Sequence, residues 1–443
     1  MATLLELPDD VIHSVAELLP VDDFFSLRLS CRRLNAMSLH AFIRVYFQTR
    51  YVMLEEHSLQ TLISISQHET FGPAVRALGF CTEHLLEMDD KQSRDFFAFL
   101  EAGWGRGYPC QDEFEEDFED ESDEDLEMEE DDKEDFYDRV YRERLDDQKT
   151  LLLGHDILYL AQAMTGLPNC KTLILTDAQI PWGASRLKRE VGSELSRGFH
   201  PDNFEDEQFV QRILQVMLSA VAKSELPVEK LDFCLGHVDE PKSVNPISLQ
   251  LLDWPVYVSP AAWTLTSLTS LRLLISPFYK NNRAYGWEKR AMRFFDLFPQ
   301  LSHFTLSFDD ELDNHTIFPI FSELLKIPQL RVMELARFEA TAAELIKMLL
   351  RHQSTLEEIT LREVKMNEAG SWTSVLSTVR DMPQFHSFTM KQCLIGDWFF
   401  TDVSDEIDAV VSIKDKERIE GLAAQIEIAS AEMAAKLRLD LEI

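Results

Sequence analysis

The sequence is poor in the residues that carry most enzyme chemistry. Its six cysteines, at 31, 81, 110, 170, 234 and 393, are scattered with no Cys-x-x-Cys, the pattern of reduced intracellular thiols rather than of a disulfide framework or a zinc site. Glycine occurs only 15 times, and no glycine run precedes Lys-Ser or Lys-Thr as a phosphate cradle requires; HExxH and GxSxG are also absent. Gly103, Gly105 and Gly107 alternate in GWGRG and read as a turn. His68-Glu69 lacks a second histidine at the helical offset for metal. The remaining histidines are dispersed, and carboxylates are too numerous for any pair to stand out. No catalytic, cofactor-binding or metal-binding residue is expected.

Positive charge is also scarce, 43 Lys and Arg against 78 Asp and Glu for a net charge of −35. Nucleic acid and anionic membranes bind through clustered cations, so neither is an expected partner. No apolar run approaches the ~20 residues that span a bilayer. No Lys or Arg precedes Arg28, and Glu6, Asp9 and Asp10 break any leader-like stretch. These features point to a cytoplasmic or nuclear protein. Hydrophobic residues make up 45% of the 443, enough for real cores in two to four domains.

The acid is concentrated. Of the 24 residues from Asp112 to Asp135, 18 are Asp or Glu and one is Lys133. Like charges this dense repel, and Phe114, Phe118, Leu126 and Met128 are too few to bury, so 111–148 reads as an acidic disordered insertion. Ser122 is followed by Asp123, Glu124 and Asp125, a setting for an acid-directed kinase.

Residues 4–40 are the most patterned. Leu7-Pro8 is followed by Asp9 and Asp10 as a helix N-cap, then by Val11, Ile12, Val15, Leu18 and Leu19 on one apolar face. Pro20 stops that helix. Asp22 and Asp23 open a second with Phe24, Phe25, Leu27 and Leu29. A third runs through Cys31, Leu34, Met37 and Leu39, with Arg28, Arg32 and Arg33 toward water. This stretch, LPDDVIHSVAELLPVDDFFSLRLSCRRLNAMS, resembles the F-box family, with Leu34 where many members carry Trp. The resemblance implies docking to the Skp-type adaptor of a cullin–RING ubiquitin ligase. Carried over residue by residue, the contacts would be Leu7, Pro8, Ile12, Val15, Leu19, Pro20, Phe24, Leu27 and Leu29. Any one of them could equally serve to pack the helices.

The rest of the chain repeats a motif. FPQLSHFTLSF (298–308), IPQLRVMELAR (327–337) and MPQFHSFTMKQ (382–392) share Pro-Gln-apolar-x-x-apolar-x-apolar. The same triplet recurs at Leu356/Ile359/Leu361, Leu268/Leu271/Leu273, Val228/Leu231/Phe233, Cys170/Leu173/Leu175 and Val75/Leu78/Phe80, with helical patterns between copies. Strand plus helix in ~20–29 residues suits irregular leucine-rich repeats, which lack here an Asn or Cys ladder. The expected fold is α/β: a three-helix F-box (1–45), linking helices with a first repeat-like unit (46–110), the acidic insertion (111–148), an irregular leucine-rich-repeat-like solenoid (149–400) and a C-terminal capping helix (401–443). An ordinary α/β domain is the alternative. Val410, Val411 and Ile413 suit a last strand, and Lys416 to Leu441 a helix. Basic, aromatic loops near 178–208 and 276–290 suit contacts.

The combined expectation is a non-enzymatic substrate receptor: the F-box binds the adaptor and the repeats bind a protein target, which the overall acidity would make basic. The rival is a ligase-independent scaffold or chaperone that binds a basic protein, such as a histone, through the acidic segment.

Overall fold

The computed structural model describes residues 7–86, 130–196, 204–235, 247–248, 252, 265–276, 287–308, 318–366, 371–395, 398–399, 410–414 and 418–424. It begins with α1 (Asp9–Leu18), α2 (Val21–Ser30), α3 (Arg32–Met37) and α4 (Leu39–Tyr46). Prolines rather than aspartates set the first two starts. Pro8 and Pro20 hold the N-cap positions with φ of −59° and −56°, and neither helix has a side-chain cap bond. A proline nitrogen has no hydrogen to leave unpaired there. Asp9, Asp10, Asp22 and Asp23 belong to the first turns or just beyond, where the helix dipole favours negative charge. The third helix, expected to continue through Leu39, stops at Met37. Ser38 caps it by donating from Oγ to the Leu34 carbonyl at 2.7 Å, and α4 follows as a separate helix.

Next come β1 (Thr49–Val52), α5 (Glu56–Gln67) and β2 (Ala77–Cys81), then α6 (Glu130–Leu151), α7 (His155–Thr165), β3 (Thr172–Thr176), α8 (Ala184–Val191), α9 (Phe204–Ser224), β4 (Lys230–Cys234) and β5 (Ile247–Ser248). The late part alternates β6 (Ser270–Ser276), α10 (Trp287–Phe295), β7 (His303–Phe308), α11 (Phe318–Leu324), β8 (Val332–Ala340), α12 (Ala342–His352), β9 (Glu358–Met366), α13 (Ser371–Asp381) and β10 (Ser387–Lys391). Short β11 (Leu394–Ile395) and β12 (Trp398–Phe399) precede β13 (Val410–Ile413). The sheet is open, in the order β1-β2-β3-β4-β6-β7-β8-β9-β10-β13. Neighbours are parallel throughout until β13, which pairs antiparallel with β10.

The recurring Pro-Gln has a local cause. Leu301 N–H bonds to the Phe298 carbonyl and Leu330 N–H to that of Ile327, at 3.1 and 3.2 Å. Each closes a four-residue turn with proline at its second position, where a fixed φ is favoured. The turn delivers the first apolar residue of each triplet just ahead of its strand. There the carbonyls of Gln48, Arg76, Lys171, Glu229, Thr269, Ser302, Arg331 and Glu357 each accept two successive N–H groups from the next lead-in. That run of bonds holds the strands in register.

The other two triplet members point to one face. Leu173, Leu175, Leu231, Phe233, Phe304, Leu306, Met333, Leu335, Ile359 and Leu361 are all buried, in one core with residues of α5, α7 and α9 to α13. The opposite face carries Thr172, Lys230, Arg272, Thr305, Glu334, Thr360 and Lys391, which keep partial exposure. β8 and β9 change phase midway: buried positions shift from Met333 and Leu335 to Phe338 and Ala340, and from Ile359 and Leu361 to Val364 and Met366. Arg337 and Glu363 are the extra residues, in left-handed backbone at φ 59° and 52°, and Gln392, just after β10, matches them at 51°. Aligned single-residue bulges of this kind bend a strand and re-aim its side chains.

Two boundaries differ from the sequence reading. Residues 130–148, assigned to the acidic insertion, are helical within α6. Val140, Tyr141 and Leu145 pack there against the small core of Met53, Leu85, Leu187 and Val191. Tyr141 Oη donates to the Leu86 carbonyl at 2.9 Å, and burial pushes its phenol up to about 12. Apolar residues at helical spacing outweigh charge density from that point on. The stretch near 178–208 is likewise not one loop, since it contains all of α8. β13 matches the expected last strand. Of the expected helix 416–441, residues 418–424 are helical and Ile419 joins the main core; the rest lies outside the described residues.

Neighbouring helices are tied by side chains. Arg351 donates to the Ser322 and Leu325 carbonyls at 2.7 and 3.1 Å, closing the C-terminus of α11. His352, only 2% exposed, accepts from Ile327 N–H at 3.1 Å through Nε2 and lies 2.9 Å from the Met348 carbonyl through Nδ1. With Nδ1 donating, the ring is neutral and fully used. Burial, the dominant cause, holds its pKa below the ordinary 6.5. Protonation is then easier in the unfolded chain, so stability is full above the unfolded value and declines as pH falls below it. The urea midpoint should drop between pH 7.5 and 5.5, and His352→Asn should show a smaller drop. Equal drops in both proteins would remove this residue as the cause.

Candidate functional site

The N-terminal helices divide their apolar residues between two directions. Ile12 and Ala16 on α1 recur at i and i+4, Leu19 at its C-cap turns to the same core, and on α2 Phe24 and Leu27 face the same way. Ala16, Phe24 and Ala41 form a small core, with Leu19, Leu27, Phe42 and Tyr46 packed against it. Phe24 packs against Phe42 and Tyr46, with ring centroids 6.3 and 6.0 Å away, and those two rings meet each other at 5.2 Å. Phe42 continues to Phe47 at 5.4 Å and Phe47 stacks on Phe71 at 4.2 Å. This aromatic chain fastens the helical lead to the sheet. Arg28, read as facing water, belongs to it instead. Its guanidinium sits 3.7 Å from the Phe42 centroid, and desolvation lowers its pKa, with Tyr46 opposing. A cation over a ring gains attraction while its stem covers apolar surface.

Ile12 and Phe24, two of the nine residues carried over as docking positions, are therefore internal, at 0% and 3% exposure. They shape the surface rather than present it. Leu7, Val15, Leu19 and Leu27 are half-buried, while Pro8, Pro20 and Leu29 are exposed. The outward stripe also holds two residues absent from the carried-over set. Val11 is 42% exposed and Leu18 84%, alongside Leu29 at 77%. The signal for them was in the sequence: Val11 and Leu18, seven apart, form a second aliphatic stripe one position ahead of Ile12 and Leu19. One helix carries more apolar width than its own small core can cover.

α1 also meets α4 through His13 and His40, whose ring nitrogens lie 2.9 Å apart. Elsewhere, a cleft of about 290 Å³ between α5, α6 and α8 is lined by Glu55, His57, Arg144 and Arg186. Its ions answer one another: Arg144 pairs with Glu190 and Arg186 with Glu55, both at 3.0 Å. Burial pushes the thiols of Cys170, Cys234 and Cys393 up to about 12, so they are not nucleophiles near neutrality. Among the described residues no group of three or more His, Cys, Asp or Glu could hold a metal ion. In the basic stretches, Trp182 lies 4.4 Å from the Arg50 guanidinium, and Lys188 pairs with Glu194. Arg197, Tyr279, Lys280, Arg283 and Tyr285 lie outside the described residues, as does Ser122.

No curated protein matches the chain. The comparison with protein families matches the F-box domain over residues 4–40. Those residues, which contain the two-stripe helix α1 and the exposed leucines, are an F-box domain.

Proposed function

We propose that the chain is the substrate-recognition subunit of a cullin–RING ubiquitin ligase. F-box domains bind Skp-type adaptors in such ligases. The adaptor would cover the outward stripe of α1 and α2: Val11, Leu18 and Leu29, with Leu7, Pro8, Val15, Leu19, Pro20 and Leu27 around them. Ile12 and Phe24 hold the two helices at the angle that presents it. The observation carrying this reading is the exposure of Leu18 and Leu29, 84% and 77%, inside the matched domain.

The strand–helix array is read as an irregular leucine-rich-repeat-like region presenting a target. In its support, β8 and β9 extend the triplet to buried positions at 0, 3, 5, 8 and 10, from Leu330 to Ala340 and from Leu356 to Met366. Cys393 occupies the eighth-residue place of the next copy, its thiol 3.6 Å from the Leu361 carbonyl. Catalysis is left to other subunits. This one raises the local concentration of a lysine-bearing target near a charged ubiquitin carrier, in the cytoplasm or nucleus.

The test is adaptor binding by the full chain, compared with Leu18→Glu/Leu29→Glu. Burying a leucine is worth roughly 1.5–3 kcal/mol, so losing two should weaken binding at least ~100-fold, with the melting temperature almost unchanged. Wild-type protein that ignores the adaptor, or a double variant that binds it equally well, overturns the proposal.

A further inference from the structure

α1 is acidic as well as apolar. It carries Asp9, Asp10 and Glu17 beside His13, and no Lys or Arg occurs before Arg28. His13 is half-buried and faces α4, where its Nε2 lies 2.9 Å from Nδ1 of the exposed His40. The two ring centroids are 4.7 Å apart and the planes are tilted by 49°. These histidines are 27 positions apart and meet where α1 packs on α4. A hydrogen bond between two side chains at a wet surface stabilises little, because water competes for both nitrogens. Stability alone therefore gives a weak reason for the pairing.

The spacing suits a shared ion. Two nitrogens bound at about 2.0–2.1 Å to one metal stand about 2.9 Å apart at a right angle and about 3.3 Å apart in a tetrahedron. The observed 2.9 Å lies at the near end of that range, and the far end needs an opening of only about 0.4 Å. By backbone spacing Asp9 and Glu17 stand one turn before and one turn after His13, on its face of α1. Ligands four residues apart on a helix can reach the same ion. Arg44 lies one turn beyond His40 on α4 and works against a cation, so the acidic side of α1 is needed to favour one.

We propose that His13 and His40, with a carboxylate one turn from His13, form a site for a divalent transition ion of the zinc type that staples α1 to α4. Two neutral imidazoles and a carboxylate are a donor set zinc takes, with water in the fourth place. On binding, Nε2 of His13 and Nδ1 of His40 give their lone pairs to the ion, and each ring keeps its proton on the other nitrogen. The staple acts on the helix that bears Val11 and Leu18, and it holds whatever covers that stripe.

The experiment titrates the metal-free full chain with Zn²⁺ by calorimetry and follows melting in parallel. One saturable equivalent is expected, with a higher melting temperature at saturation. His13→Gln and His40→Gln should each weaken that equivalent at least tenfold and abolish the melting shift. His40 is exposed, so His40→Gln should melt as wild type without metal, which separates lost ligation from lost folding. Co²⁺ in place of Zn²⁺ should give the visible absorption of a four-coordinate site in wild type and lose it in either variant. Asp9→Asn/Glu17→Gln should also weaken Zn²⁺ binding at least tenfold. Absence of a saturable equivalent, its persistence in His40→Gln, or wild-type affinity in the double carboxylate variant would each overturn the assignment.

Discussion

Arg212→Ala should lower the unfolding free energy by about 3–5 kcal/mol, the cost of stranding a buried charge. Asp156, at the start of α7, is fully buried, at 0% exposure. Arg212 on α9 grips both its oxygens, Nε to Oδ2 at 2.9 Å and an Nη to Oδ1 at 2.7 Å. Ile157 N–H also bonds to Oδ1, at 2.8 Å. Without the guanidinium the carboxylate must ionise unpaired in the core or take up a proton. Urea unfolding near pH 7 measures the loss. Removing both partners, as Asp156→Ala/Arg212→Ala, should cost less than removing arginine alone, because no charge is then left behind. A single-variant loss under about 1 kcal/mol, or a double variant worse than the single, would contradict this account.

Phe294→Ala should cost a similar amount, about 3–5 kcal/mol, while Phe294→Leu should cost far less. Phe294 on α10 is fully buried, with Phe298 and Phe295 at centroid distances of 5.0 and 6.0 Å and Phe233 of β4 at 6.4 Å. It joins helix and strand layers where several rings meet, so the cavity left by alanine cannot be filled by a single rotamer change. Calorimetric melting of the two variants against wild type gives the comparison. Near-equal stabilities for alanine and leucine would mean that the site collapses freely.

The late strands were legible because their signal is local. A proline turn, then apolar residues three and five positions on, fixes both the start and the inward face of β7, β8 and β10. The F-box was legible for the same reason, being dense in forty residues. β1 was not: Thr49-Arg50-Tyr51-Val52 has no triplet, and its strand exists because Arg76 and Ala77 bond to the Gln48 carbonyl. α6 was hidden because charge density says nothing about the sparse apolar residues that find partners on α8. The exposed stripe of the helical lead was half legible. Periodicity marks both aliphatic rows of α1, yet which row turns inward depends on α4, 27 residues after His13 at His40. The histidine pair could not be foreseen, since His13 and His40 meet only through the packing of α1 on α4.

The aligned bulges carry an evolutionary consequence. Because Arg337, Glu363 and Gln392 are each one residue more than the alternation needs, deleting any one alone would rotate the remainder of its strand half a period against both neighbours. For β9 that would turn Val364 and Met366, both 0% exposed, out to solvent while Phe338 and Cys393 stayed inside. Such a frameshift in side-chain direction is repaired only by matching deletions in the adjacent copies. The three extra residues are therefore bound to be gained or lost as a set, and related chains should keep or lack all of them together.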